Sequence, residues 1–217
     1  MSSSTFPIIK HFGKFEGEDV FEYQLKSKTG VIIKIINYGA IILLFLVQLL
    51  VELLIELENQ SLNHLHGEKE SNYPGNLNVK IIYKLENNTL EIGFEANTDT
   101  LTPINLVQHN YFNLAGYGDI SNHWLQLDSD LIFVKENFSK PIAILKCQNS
   151  NNSLKLWTNQ PALQIKGING QIYPPFGGIC LEDQQYPDAV NYPNIFPSIN
   201  ISPTNSYQHW CQLLIHR

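Results

Sequence analysis

Residues 76–97 of the chain, NLNVKIIYKLENNTLEIGFEAN, decide the fold class. Apolar side chains occupy every second position in each half of this stretch, with Ile82 as the exception. A period of two is typical of a strand that buries one face, and the polar segment Glu86-Asn87-Asn88 between the halves is typical of a turn. The stretch therefore predicts a β-hairpin.

The same period recurs outside the hairpin. Apolar and polar residues alternate over residues 21–25 and again over residues 125–131. Turn-forming residues punctuate the chain at Tyr73-Pro74-Gly75-Asn76 and over residues 174–178. Many short strands with frequent turns and hardly any helical pattern predict an all-β fold, an antiparallel sandwich or barrel. We expect one domain over residues 1–217.

An apolar run over residues 40–57, AIILLFLVQLLVELLIEL, is almost long enough to cross a membrane. Gln48, Glu52 and Glu56 interrupt it at intervals of four, which would place them on one stripe of a short helix. The alternative is a second strand that follows a strand over residues 31–40. Because charge inside a bilayer is costly, we expect the run to be buried against the sandwich or in a self-association surface.

The charge balance excludes two classes of partner. The chain has 20 acidic and 14 basic residues, a formal net charge of -6, so it lacks the basic footprint of a nucleic-acid-binding or anionic-membrane-binding protein. Its one arginine is Arg217. The bidentate donors that recognise phosphate and carboxylate groups are therefore absent from the interior of the sequence, and a small neutral or cationic ligand fits better.

The cysteines and the N-terminal residues predict a cytosolic location. Cys147, Cys180 and Cys211 are odd in number and widely spaced, which indicates buried thiols in a reducing compartment. The first residues, MSSSTFPIIKHFGK, contain no apolar stretch of signal-peptide length.

Two segments carry histidines that could do chemistry. His64 and His66 would share a face in an extended segment, but no Cys or carboxylate with ligand spacing accompanies them, so we expect no metal site. A loop histidine that binds a ligand or a backbone carbonyl is the alternative. His109 lies in the segment 103–116, PINLVQHNYFNLAG, an apolar alternation broken by Gln108, His109 and the three asparagines Asn105, Asn110 and Asn113. It is either a satisfied core histidine or part of a polar row that meets sugar hydroxyls.

A third segment contains a carboxylate that could act as an acid or a base. Glu182 follows the apolar residues 178–181, which predicts a partly desolvated position at a buried strand. A carboxylate and an imidazole in one pocket are the usual equipment of general acid–base catalysis. The alternative is a strand end in solvent.

Taken together, these segments resemble the aldose 1-epimerases, the galactose mutarotases. The resemblance rests on an ordered set of motifs along residues 37–191. They are Asn37-Tyr38-Gly39-Ala40, Leu65-His66-Gly67, Tyr73-Pro74-Gly75, the segment 105–116, Thr158-Asn159-Gln160-Pro161 with Gln164, and the segment 178–191.

The resemblance implies a large antiparallel β-sandwich and a hexose substrate. It implies that Glu182 takes the proton of the C1 hydroxyl and that His109 protonates the ring oxygen, so that the ring opens and recloses as the other anomer. It implies that His66 and Gln164 bind sugar hydroxyls, and that no metal or organic cofactor is needed.

The chain departs from the family pattern in ways that keep other functions open. No arginine precedes Leu65-His66-Gly67, and no aspartate lies between Val134 and Leu154, where the family has sugar-binding residues. The resemblance therefore implies a shortened, internally truncated member. The alternatives are a catalytically impaired carbohydrate-binding or regulatory relative, or a truncated chain that folds poorly. A hexose-6-phosphate epimerase is disfavoured because the arginines are missing.

Overall fold

The computed structural model of the chain describes residues 8–38, 42–47, 53–58, 73–127, 140–168 and 175–216. Within these residues the regular structure is β-strand, apart from one turn of 3-10 helix at Ala189–Asn191. The chain divides into two compact units. The first holds the residues up to Thr102 together with Ile201–Gln208, and the second holds Pro103–Asn200 and the residues from His209 onward.

The first unit is built from antiparallel strands. They are β1 (Ile8–Phe15), β2 (Glu18–Lys26), β3 (Val31–Ile36), β4 (Ile42–Val47), β5 (Leu53–Glu58), β6 (Leu77–Glu86) and β7 (Thr89–Thr98), with the short β8 (Thr102–Pro103) at its end. Strands β1 to β4 pair in sequence order, and β5, β6 and β7 do the same. Within each of these two sets, strands that are neighbours in the chain are therefore neighbours in the sheet.

The predicted hairpin is confirmed as β6 and β7. Glu86 pairs with Thr89, which leaves Asn87 and Asn88 as a two-residue turn. Asn87 has φ of 51°, a left-handed conformation that asparagine tolerates better than most residues. The alternating apolar side chains are buried and face one another in pairs. These pairs are Val79 with Ala96, Ile81 with Phe94, Tyr83 with Ile92, and Leu85 with Leu90. Burying a side chain of leucine size stabilises by about 1.5 to 3 kcal/mol.

The apolar run forms strands in the segments that the structure describes. β4 pairs with β3, and β5 pairs with β6, so both gain backbone partners from an existing strand. The helix alternative is wrong for these two segments, and the second-strand alternative is right. Residues 40–41 and 48–52 lie outside the described residues, and the expected burial of the run stays a prediction. Across the described part of the chain, no helix is long and apolar enough to cross a membrane.

The second unit contains the remaining strands. They are β9 (Tyr111–Phe112), β10 (His123–Leu127), β11 (Ala143–Cys147), β12 (Ser153–Thr158), β13 (Ala162–Gly167), β14 (Ile179–Gln184), β15 (Asn200–Ile201) and β16 (Tyr207–His216), which begins in the first unit. β10, β11, β12 and β16 pair in that order, and β14 lies between β13 and β9. All pairings within these two sets are antiparallel.

The core of this unit follows the same period of two. Every second residue of β11, β12 and β16 is buried, and each intervening residue of β11 and β12 is half-buried. The three cysteines are free and buried, as the sequence predicted. The expectation of one domain over residues 1–217 stays a prediction.

Candidate active site

The three-stranded sheet β13-β14-β9 gathers a set of polar side chains on one face. Gln164 on β13 lies directly opposite Glu182 on β14, and Cys180 lies opposite Tyr111 on β9. Directly opposed residues of an antiparallel pair share a face, and so do residues two apart on one strand. Strand register therefore places Gln164, Glu182, Cys180 and Tyr111 together.

His109 completes this face, because its ring contacts both Glu182 and Tyr111. Its Nε2 atom is 2.9 Å from Glu182 Oε1. The imidazole is 44% exposed, whereas the Glu182 side chain is 5% exposed. The histidine ring thus reaches solvent and the carboxylate lies beneath it. The core-histidine reading of the sequence is wrong, since a satisfied core histidine would be buried.

The two oxygens of the Glu182 carboxylate have different surroundings. Gln164 Nε2 donates a 2.9 Å hydrogen bond to Oε2. Oε1 is buried and has no hydrogen-bond partner among the described residues. Its 2.9 Å contact with His109 Nε2 is an ion pair when the imidazole is protonated. Oε1 consequently keeps a lone pair available to accept a proton.

Cys180 is a third group at this point, and sequence reasoning missed it. Its Sγ atom lies 3.3 Å from His109 Nδ1. Burial, with the Glu182 charge, raises the pKa of the Cys180 thiol, so the thiol stays protonated and is a poor nucleophile. The signal was present in the sequence, because position 180 is two residues before Glu182 on a predicted strand.

The opposite face of β14 carries a separate buried network. His209 Nε2 lies 2.6 Å from Asp183 Oδ2, and both side chains are fully buried. Thr158 Oγ1 donates to the same oxygen at 2.7 Å, and His209 Nδ1 lies 3.1 Å from the Leu106 carbonyl oxygen. No sequence signal pointed to this pair, since its members are 26 positions apart and lie on strands of two different sheets.

Gln108 connects the buried network to the histidine. Its amide nitrogen donates to the Leu181 carbonyl and lies 3.4 Å from Asp183 Oδ1. Its amide oxygen accepts the Asn110 backbone N–H at 3.2 Å. His109 thus lies between two residues that are held to β14, Gln108 by its own hydrogen bond and Asn110 through Gln108. This restrains the imidazole relative to the carboxylate.

The other polar residues of this motif have protein partners. The Asn105 side chain exchanges hydrogen bonds with the backbone of Gln185, and Asn113 donates to three backbone carbonyls. The expectation that a sugar satisfies the whole polar row is therefore wrong for Asn105, Gln108 and Asn113. For His109, the expectation of a contact with the sugar stays a prediction.

The structure brings together three of the four predicted site residues: His109, Glu182 and Gln164. His66, like His64, lies outside the described residues. Within the part of the chain that the structure describes, two clusters offer atoms that could ligate a metal ion, and the atoms of each cluster lie within 4.8 Å of one another. They are His109 with Cys180 and Glu182, and Asp183 with His209 and Cys211.

Comparison with known proteins identifies the family. The family model described as aldose 1-epimerase matches residues 57–137 and 127–214. These two matches together span well over half of the chain. The chain belongs to the aldose 1-epimerase family.

Relatives in this family cover the chain only in part. The galactose mutarotase of Pongo abelii is 31% identical over 198 residues, an alignment that covers 64% of this chain and 58% of the relative. The aldose 1-epimerase of Haemophilus influenzae is 26% identical, and the alignment covers 61% of this chain and 56% of the relative. The chain thus spans less than two thirds of the length of these aldose 1-epimerase family members.

A solved structure shows the same fold over nearly the whole chain. A galactose 1-epimerase from Lactobacillus acidophilus superimposes with a TM-score of 0.73 at 17% identity, covering 98% of this chain and 99% of that one. The predicted fold class, an all-β antiparallel fold of the galactose mutarotase type, is confirmed. The resemblance seen in the sequence motifs is confirmed as well.

Proposed function

We propose that this aldose 1-epimerase family member interconverts the α and β anomers of a free hexose such as galactose or glucose. The observation that carries the proposal is the contact between His109 Nε2 and Glu182 Oε1 at 2.9 Å. Anomerisation needs one proton removed from O1 and one delivered to the ring oxygen. Both oxygens are bonded to C1, so the two catalytic groups must lie close together, as this pair does.

The proposed proton transfers follow from the surroundings of each group. Glu182 Oε1, free of a well-formed hydrogen bond, takes the O1 proton while protonated His109 donates to the ring oxygen. The bond between C1 and the ring oxygen breaks and C1 becomes an aldehyde. After rotation about the C1–C2 bond, the new hydroxyl attacks the other face of C1. His109 then takes its proton back and Glu182 returns its proton to O1.

Gln164 supports the base and remains accessible to the sugar. Its side chain is exposed on β13, and its amide donates to Glu182 Oε2. Fixing Oε2 leaves Oε1 directed at His109 and at the entering substrate. We propose that Gln164 and His66 bind hydroxyl groups of the hexose. A neutral sugar fits a chain whose one arginine is Arg217, because phosphate recognition favours several arginines.

We extend the proposal to the setting of the protein. The three free, buried thiols support a reducing compartment, the cytoplasm. The net charge of -6 supports a partner that is neither nucleic acid nor an anionic membrane. The same proposal includes burial of the apolar run of residues 40–57, either against the sandwich or in a self-association surface.

Polarimetry tests the proposed function. Freshly dissolved α-D-galactose and α-D-glucose are followed at several protein concentrations, and the expected result is a relaxation rate that rises in proportion to protein. The Glu182→Gln variant at equal concentration is the matched control. A relaxation rate equal to that of buffer in a folded sample would overturn the proposal.

A further inference from the structure

We propose that His109, Cys180 and Glu182 form a zinc-binding site whose occupation blocks the acid–base pair. Neither the sequence motifs nor the family match assigns a metal ion to these residues. The binding claim stands by itself, whereas the inhibition rests on the proposed function.

The three side chains already lie near ligand spacing. The His109 imidazole is 2.9 Å from Glu182 Oε1 and 3.3 Å from Cys180 Sγ, and all three candidate donor atoms fall within 4.8 Å of one another. Tetrahedral zinc with bonds of about 2.0 to 2.3 Å places its ligands about 3.3 to 3.7 Å apart. The separations are therefore close to those of a zinc site, apart from the orientation of the imidazole ring.

The geometry also shows which side chain must move. The two contacts use different imidazole nitrogens, so the ring must turn for one nitrogen to face an ion between the other two groups. The His109 side chain is 44% exposed and has room to do so. Cys180 and Glu182 are held two residues apart on β14, which keeps their side chains on one face.

The donor set selects the class of metal. A thiolate, an imidazole and a carboxylate suit zinc, whereas magnesium and calcium prefer oxygen ligands alone. Three protein ligands leave a fourth position for water, as in zinc sites that remain open. Glu182 Oε1 is buried and has no hydrogen-bond partner among the described residues, which leaves it able to ligate an ion. Gln164 on Oε2 would orient the ligating carboxylate from outside the site.

The second cluster of metal-ligating side chains provides a contrast within the same unit. Asp183 and His209 are fully buried, and Cys211 beside them is also buried. Both nitrogens of His209 and both oxygens of Asp183 already have partners. An ion would have to displace these contacts at a fully buried position. Of these two clusters in the described residues, we therefore expect zinc to bind the one on the His109 face.

Zinc on this site would occupy the groups that move protons. Binding releases the Cys180 thiol proton to solvent, engages Glu182 Oε1 and takes one nitrogen of His109. The base then cannot accept the O1 proton, and the acid cannot deliver its own. Zinc binding forms no covalent bond to a carbon atom of the protein. Removing the ion with a chelator should therefore reverse the inhibition.

Cobalt provides a direct spectroscopic test on the full chain. Co²⁺ is titrated into the apoprotein under reducing conditions, and a thiolate-to-cobalt charge-transfer band is expected at one ion per chain. Zn²⁺ should abolish the band by competition. Cys180→Ala should remove the band. Changing a group that only supports a metal ligand weakens metal binding by roughly 10- to 100-fold, so losing the Cys180 ligand itself should weaken Zn²⁺ binding by more than that. The matched control, Cys147→Ala with Cys211→Ala, should keep the band.

The outcomes separate the two claims. Circular dichroism establishes that each variant is folded, and Glu182→Gln provides a second ligand variant that should also weaken Zn²⁺ binding. A folded wild type without the band, or a band that persists in Cys180→Ala, would overturn the proposal. A wild type that shows the band but no mutarotation in metal-free buffer would overturn the proposed function and leave the zinc site standing.

Discussion

Gln164 and Glu182 lie directly opposite each other on β13 and β14, and the Gln164 amide donates a 2.9 Å hydrogen bond to Glu182 Oε2. The bond gives the two carboxylate oxygens different roles. One oxygen is held by the neighbouring strand, and the other faces His109. A residue expected to contact the sugar thus also orients the base.

Replacing either member of the acid–base pair should remove most of the turnover. Glu182→Gln keeps the shape of the side chain but cannot accept the O1 proton, and His109→Asn cannot deliver one. Because general acid–base catalysis contributes roughly 10² to 10⁴-fold, we expect a loss of that order in kcat. Polarimetry measures it. Ile165→Ala is the control and should retain activity, because Ile165 is exposed and pairs with Leu181 instead of with Glu182. Equal losses in all three variants would contradict the assignment.

Removing the Gln164 amide should affect both binding and catalysis. In Gln164→Ala the buried Glu182 carboxylate loses its donor to Oε2. A hydrogen bond to a charged group contributes about 1.5 to 3 kcal/mol, so kcat/KM should fall by roughly 10- to 150-fold. Steady-state kinetics separates the two parameters. If KM alone rises and kcat is unchanged, Gln164 contacts the sugar without orienting the base.

The buried Asp183–His209 pair should matter for stability. Asp183→Asn replaces an acceptor of several hydrogen bonds by an amide inside a fully buried network. Breaking a buried pair by changing one partner costs about 3 to 5 kcal/mol. Urea denaturation measures the change in free energy of unfolding. Asp19→Asn, at an exposed pair, is the control and should change it far less, and comparable losses would count against the network.

Gly75 is required by the backbone of its turn. Its φ is 77°, and a Cβ there would lie 2.6 Å from Asp99 Oδ1 and 2.7 Å from Thr100 Cβ. Gly75→Ala should therefore lower the free energy of unfolding by about 1 to 3 kcal/mol. Gly93→Ala is the matched control, because the nearest atom to its new Cβ would be 3.6 Å away. Thermal or urea denaturation in which both changes are neutral would refute the strain at Gly75.

His123 should make stability depend on pH. Burial lowers the pKa of His123 below the ordinary 6.5, and its Nε2 accepts the Leu114 backbone N–H at 2.9 Å. As the pH falls below about 6.5, the unfolded chain binds a proton that the folded chain resists, so the free energy of unfolding decreases. Above that pH both states are neutral and the contribution is constant. His123→Gln does not titrate, and an unchanged pH profile in this variant would exclude His123 as the cause.

Sequence patterns predicted the parts of the fold that a local period determines. The β6–β7 hairpin was readable because its two apolar faces alternate with polar residues. Residues 40–57 were ambiguous, because a continuous apolar run fits a strand and a helix equally well and only pairing with β3 and β6 settles the described segments.

The candidate site was predictable to a similar extent. Sequence motifs predicted His109, Glu182 and Gln164 as site residues. The 2.9 Å contacts that join them depend on strand register, which the motifs do not specify. Cys180 could have been found by counting two residues back from Glu182. The Asp183–His209 pair could not, since nothing local links β14 to β16.

Adjacent carboxylates on β14 have opposite environments because successive strand residues point to opposite faces. Glu182 faces His109, whereas Asp183 faces the buried His209. A one-residue deletion upstream in β14 would put an aspartate in the place of Glu182 and a glutamine in the place of Asp183. A one-residue insertion would instead put a glutamate in the place of Asp183, a space filled by a shorter side chain. Length changes within this strand are thus far more damaging to the protein than most substitutions, and natural variants should accumulate indels in its flanking loops instead.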